Sequence, residues 1–191
     1  MPGVAASGRM RQKTGEQTTQ NHIDRRLAAV IEVNRLFGRE VVIRDTGEKA
    51  SKVQDVVFDE PASRVVALLI SDGLLESTRV VRWDEVVSIK DVVVVVGGVD
   101  FRRLKDDPQI NDLYKKKYRI TGIGIIHSGE KIGSIGDIFI DESGLVVGYE
   151  VKEGFFSGSR FLPTGEIESS GKDAFVARTN SLPKMKDVRP A

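Results

Sequence analysis

From Leu27 onward the chain sets down its apolar residues in short runs of strand length, rich in β-branched side chains and separated by turn residues. Residues 29–33 and 40–43 read as two strands around the turn-like stretch 34–38. Asp45-Thr46-Gly47-Glu48 is a turn in which Gly47 accepts a positive φ without steric cost, and residues 52–58 make the next strand. Asp59-Glu60-Pro61-Ala62-Ser63 closes a hairpin onto residues 65–70, a continuous apolar run too short for a typical helix and read as the central strand. Asp72-Gly73 turns the chain again, and residues 78–81 and 92–96 add two strands around a brief helical turn at 83–86. Six short strands with no amphipathic helix among them predict a small closed β-barrel, because an open sheet would leave Val-rich edges unpaired.

The same pattern is then written a second time. Gly47-Glu48-Lys49-Ala50-Ser51-Lys52-Val53-Gln54-Asp55-Val56-Val57-Phe58-Asp59 returns as Gly129-Glu130-Lys131-Ile132-Gly133-Ser134-Ile135-Gly136-Asp137-Ile138-Phe139-Ile140-Asp141, in register at a spacing of 82 positions. A repeat of this length is one supersecondary unit built twice, so the fold class is all-β, with two small barrels in tandem. Ile123 and Ile125 fall where Val41 and Ile43 did, and residues 145–151 take the place of 64–70. The turn Asp141-Glu142-Ser143-Gly144 is one residue shorter than its counterpart, which drops the spacing to 81. On this register the first barrel spans residues 29–98 and the second 120–181.

What lies outside the barrels differs in composition. Residues 1–28 are polar and poor in apolar residues, the pattern of a disordered tail. Residues 99–119 form a basic linker with a short helix expected at 109–117, where Ile110, Leu113, Tyr114 and Lys117 share one face. Residues 182–191, with Pro183 and Pro190, read as a loose C-terminal tail. The formal net charge of +1 hides a division: residues 1–30, 100–119 and 182–191 together carry +8 and the remaining residues −7. Acidic folded units joined by basic segments argue against nucleic-acid readout by the barrels themselves.

The absence of cysteine excludes disulfide scaffolds, thiolate nucleophiles and thiolate zinc sites, and fits a reducing cytosol. No run reaches the length of a membrane-spanning helix, and the N-terminal stretch lacks the apolar core of a signal peptide. The expected location is therefore cytoplasmic, with no transmembrane segment.

The residues Val41-Val42-Ile43, Gly47-Glu48-Lys49 and Lys52 through Asp59 resemble the PRC-barrel domain. In the second copy Gly129, Gly133 and Asp137 fill the Gly-x-x-x-Gly-x-x-x-Asp form of that family, whereas in the first Ser51 stands where the middle glycine belongs. The resemblance implies a scaffold that binds other macromolecules, as an adaptor, and brings no reaction with it.

Candidate chemistry is sparse. Asp55, Asp59, Asp137 and Asp141 could be imagined as paired carboxylates for a metal or for acid/base work, but Asp59 and Asp141 sit at hairpin turns, where aspartate bonds local backbone. His22 and His127 have no third ligand at zinc spacing. Gly129, Gly133 and Gly136 look like a phosphate loop but precede a strand instead of a helix. No catalytic, metal or cofactor site is expected. Candidate partner-binding residues are Phe155 and Phe156 in a Gly/Ser loop, Trp83, and Lys115, Lys116 and Lys117 at the end of the linker helix. The expected function is a non-enzymatic adaptor or protein-interaction module with an unidentified protein partner. The alternative is an RNA- or ribosome-associated module using the basic linker and tails.

Overall fold

The computed structural model describes residues 30–60, 62–71, 73, 77–116, 120–154 and 158–188. The tail at 1–28 lies outside the described residues. Strand β1 (Ile31–Glu32) comes first. Strands β2 (Glu40–Ile43), β3 (Lys49–Phe58), β4 (Val65–Ile70), β5 (Arg79–Arg82), β6 (Val86–Ile89) and β7 (Val93–Val95) then form a six-stranded sheet in the order β5-β4-β3-β2-β7-β6. Among the described residues, β2 and β7 are the one parallel pair in this sheet. Its two end strands, β5 and β6, are joined by the 3-10 turn Trp83–Glu85, so the chain spans the gap in the ladder and gives a barrel-like unit. The Glu85 carboxylate holds that turn by accepting the Arg82 backbone N–H at 2.7 Å.

The second unit repeats the plan with β8 (Gly124–His127), β9 (Glu130–Ile140), β10 (Val146–Lys152), β11 (Arg160–Pro163), β12 (Ile167–Ser170) and β13 (Ala174–Ala177). The order is β11-β10-β9-β8-β13-β12, and β1 joins as a seventh strand on β9. The strand expected at 29–33 therefore does not belong to the first barrel. It crosses to the second, with Ile31 opposite Ile140 and Glu32 opposite Phe139. The sixth strand of the first barrel is instead β6, which the apolar pattern did not isolate from the turn before it.

The pairing also corrects the repeat register at its first hairpin. Val41 faces Ser51 as Ile125 faces Gly133, so Val41 matches Ile125 and Ile43 matches His127. The cause is a tighter turn. Residues 44–48 connect the strands in the first copy, whereas Ser128 and Gly129, both at positive φ, make a two-residue hairpin in the second.

The repeat runs further than residues 98 and 181. Arg103 bridges Arg79 in the first unit as Lys184 bridges Arg160 in the second. The Val80 N–H donates to the Arg102 carbonyl and the Phe161 N–H to the Pro183 carbonyl, and Leu104 and Met185 donate to Thr78 and Ser159 in the same way. Helix α1 (Pro108–Lys116) follows the first of these segments. It opens as a capped helix should, with Pro108 at the first position and the Asp107 carboxylate accepting the Ile110 N–H at 3.2 Å. Its buried Ile110 covers Val57, Ala67, Leu69 and Val80 on the outer face of the first sheet.

Helix α2 (Met185–Val188) does the same for the second sheet, burying Met185 and Val188 against Phe139 and Phe161. The expectation of a loose tail from residue 182 is corrected by this packing over residues 182–188. Two phenylalanines on the outer strand faces would otherwise be left to water. Among the described residues no helix is long and apolar enough to cross a membrane.

One continuous hydrophobic cluster runs through both units, from Val33, Leu36, Val41 and Leu68 to Ile125, Ile140, Tyr149 and Phe175. The halves are thus joined by a shared interior as well as by the chain.

Candidate functional site

The junction between the barrels is built from the two matching hairpin turns. In the first, Asp59 Oδ1 accepts the backbone N–H groups of Ser63 and Arg64, each at 2.8 Å. In the second, Asp141 Oδ1 accepts those of Ser143 and Leu145 at 2.9 and 3.0 Å. Both carboxylates are occupied in shaping turns, the role that aspartate commonly takes there. The turns then pair with each other: Arg64 bridges Leu145, the Val65 N–H donates to the Gly144 carbonyl, and the Val146 N–H donates to the Ser63 carbonyl, both at 2.8 Å. The two bonds are equivalent under exchange of the copies, so the junction has an approximate two-fold symmetry.

Trp83, expected as a surface anchor for a partner, lies inside this junction. It is 9% exposed, its indole N–H donates to the Glu142 carbonyl at 3.3 Å, and its ring lies on Gly144. Its partner is the other half of its own chain, because a large amphipathic ring with one donor suits a buried surface carrying a carbonyl acceptor.

The duplicated aspartate has diverged. Asp137 is buried, and its Oδ1 accepts the N–H of Ile138 at 2.7 Å and that of Asn34 at 3.1 Å. The Asn34 side chain in turn donates to the Gly136 carbonyl at 3.2 Å. Asn34 sits in the 3-10 turn Val33–Arg35 that follows β1, so Asp137 fastens the crossing segment to the second barrel. Burial pushes the Asp137 carboxyl above its ordinary value, against the lowering effect of the two N–H donors and with help from nearby Glu32 and Glu150. Asp55, its counterpart, accepts the N–H of its neighbour Val56 at 2.8 Å and among the described residues makes no matching tie to a distant segment.

The remaining candidates are scattered. Lys115 and Lys116 end α1, where cations complement the helix dipole, and Lys116 Nζ lies 2.7 Å from a Glu60 carboxylate oxygen. Lys117, Phe155 and Phe156 lie outside the described residues. His127 Nδ1 is 3.0 Å from the Ala177 carbonyl, which can only accept, so that nitrogen carries a proton and ties β8 to β13. Gly133 and Gly136 lie within β9. A Cβ at Gly133 would come within 2.6 Å of Val151 Cγ1 and 2.8 Å of the Lys152 carbonyl oxygen, so close strand packing explains that glycine. Among the described residues no group of three or more His, Asp or Glu side chains is placed to hold a metal ion.

The feature that sequence reasoning missed is a cleft of about 370 Å³ beside the junction. It is lined by residues 86–90 of the first unit, by Val30 and Ile31 at the crossing strand, and by Glu142 of the second hairpin. Among the described residues β6 pairs only with β7, and β1 only with β9, so each brings an unpaired edge to this region. The available signal was the alignment of Val86-Val87-Ser88-Ile89 with Ile167-Glu168-Ser169-Ser170 at the spacing of 81.

No curated protein matches this chain. The PRC-barrel domain matches it twice, over residues 29–101 and 122–182, and the two matches end at equivalent positions 81 apart, just before the repeated trailing segments. With both barrel-like units covered in this way, the chain belongs to the PRC-barrel domain family.

Proposed function

We propose that this protein is a non-enzymatic adaptor whose working surface lies where its two barrels meet. The observation that carries this reading is the cleft beside β6, whose mixed lining combines Ile31, Val86 and Ile89 with Ser88 and the ionisable Lys90 and Glu142, on strands β6 and β1 that each pair on one side among the described residues. The shared interior and the paired hairpins support it, because a surface contributed by both barrels keeps its shape only if the barrels hold their places. Affinity capture with the intact protein from native extract, repeated with Val87→Glu, tests the reading. A partner retained by the wild type and lost from the variant is expected; recovery of no reproducible partner by the wild type would contradict it.

A second reading, an RNA- or ribosome-associated module, draws on the exposed Lys115 and Lys116 at the end of α1. The pairing of Lys116 with Glu60 and of Arg102 with Asp100 weakens it by neutralising part of the linker charge. RNA binding that falls steeply with added salt would favour it, since phosphate contacts release counterions.

A further inference from the structure

The two copies provide an internal comparison at the strands that end their sheets. In each, among the described residues, the strand after the 3-10 turn pairs on one side only, and in each the pairing skips one residue: Val87 in β6 and Glu168 in β12. These bulged residues occupy equivalent positions, 81 apart. A bulge and a charge are two devices by which proteins blunt an open edge against pairing with another chain. The second copy uses both, since Glu168 is exposed and Ser169 and Ser170 follow it. The first keeps the bulge but places Val87, 45% exposed, where the charge stands in its twin.

That unprotected edge is the one that borders the cleft. Across the opening lies β1, which is paired to β9 and contributes Ile31 to the lining. The walls therefore present backbone donors and acceptors at two strand edges together with half-buried Val86, Ile89 and Ile31. Exposed Lys90 stands just past the C-terminal end of β6. An extended segment is the ligand class that uses such a wall, through main-chain hydrogen bonds and alternate side chains.

We infer that the edge of β6 accepts an extended strand from a partner protein, running antiparallel to β6, with apolar side chains turned toward Val86 and Ile89 and an acidic residue near its N-terminal end against Lys90. This rests on the adaptor reading and specifies what the adaptor holds. A second copy of the chain fits less well, because its own β6 is flanked by β7 and by the 3-10 turn Trp83–Glu85, and that bulk has to enter a concave space. A single extended segment brings no such bulk.

The test uses the full chain and a short synthetic peptide of alternating valine and threonine with a glutamate at its N-terminal end, followed by amide chemical shifts and hydrogen exchange. Saturable shifts and slowed exchange confined to residues 86–90 and 30–32 are expected. Affinity should fall about tenfold when the peptide backbone is N-methylated on its pairing edge or when Val87→Glu copies the twin strand, a loss of the size that follows from removing one or two well-made contacts. Replacing the peptide's glutamate by lysine should also weaken binding. Absence of shifts at β6, shifts equal in β6 and β12, or sedimentation showing that copies associate through β6 would each overturn the inference. The two readings fail separately. If the extract partner binds Val87→Glu as well as wild type and the peptide leaves β6 unmoved, the strand site is lost but the adaptor stands. If the peptide binds at β6 and the extract yields nothing, the strand site stands and the adaptor is lost.

Discussion

Gly144 lies beneath the indole of Trp83 so closely that a Cβ on it would sit 2.7 Å from Trp83 Nε1, and its φ of +82° is one that side chains disfavour. Trp83 belongs to the first barrel and Gly144 to the second, so this close contact joins the two units. Gly144→Ala should combine backbone strain with overpacking and cost roughly 2–4 kcal/mol. Chemical denaturation with Trp83 fluorescence measures it. A cost below about 0.5 kcal/mol, the range of an ordinary surface substitution, would mean that the contact does not constrain the junction.

Ser51 and Gly133 show how the duplicated motif was accommodated. Ser51 is fully buried and its hydroxyl has no hydrogen-bond partner among the described residues, whereas its equivalent in the second unit is the glycine held against Val151 and Lys152. Ser51→Ala removes an unsatisfied buried polar atom and should raise stability by about 1 kcal/mol. Gly133→Ser should lower it by roughly 2 kcal/mol or more, since the Lys152 carbonyl is backbone and cannot move aside cheaply. Paired denaturant titrations should give opposite signs for these reciprocal changes.

The buried carboxyl of Asp137 gives a pH dependence whose sign is fixed by its upward shift. Because the folded state binds this proton more tightly than the unfolded state, the Asp137 contribution is fully present below the unfolded value of 3.8. It is lost as pH rises through the raised folded value. Asp137→Asn keeps an oxygen to accept the Ile138 and Asn34 N–H groups and removes the charge. The variant should therefore gain on the wild type as pH is raised across the acid range, and parallel stability curves would contradict the assignment. Asn34→Ala, which deletes the bond to the Gly136 carbonyl, should cost about 1 kcal/mol at neutral pH.

Met185 reports on the C-terminal segment. Together with Val188 it covers Phe139 and Phe161, whose rings meet edge to face at 5.6 Å between centroids. Met185→Ala should destabilise by about 2 kcal/mol, within the range of buried Met truncations, and thermal unfolding checks it. No change would place the segment among solvated tails, as its prolines and charges suggest when read alone.

The architecture was legible in the sequence because the repeat of 47–59 at 129–141 carries its own register, and because continuous runs such as Val65–Ile70 admit little besides a buried strand. The hairpin aspartates could be read for the same reason, since their bonds are local. What escaped was decided by partners distant in the chain. Nothing near Ile31 says that it pairs with Ile140, and nothing near Trp83 says that a glycine of the other copy will lie beneath it. The matching Arg103-Leu104-Lys105-Asp106 and Lys184-Met185-Lys186-Asp187 were visible in the chain, yet their charges masked the one apolar residue in each that docks. The cleft beside β6 has no short motif, because strands from both units line it.

The two PRC barrels share one interior and one junction, and so should unfold together. Trp83 is the single tryptophan of the chain and lies at that junction, so its fluorescence can be compared with the far-ultraviolet circular dichroism of the strands during thermal or denaturant unfolding. Coincident single transitions are the result expected. Two steps, with the Trp83 signal changing while the β signal of both barrels persists, would show that the halves are separate domains in loose contact, and the composite surface would have no structural basis.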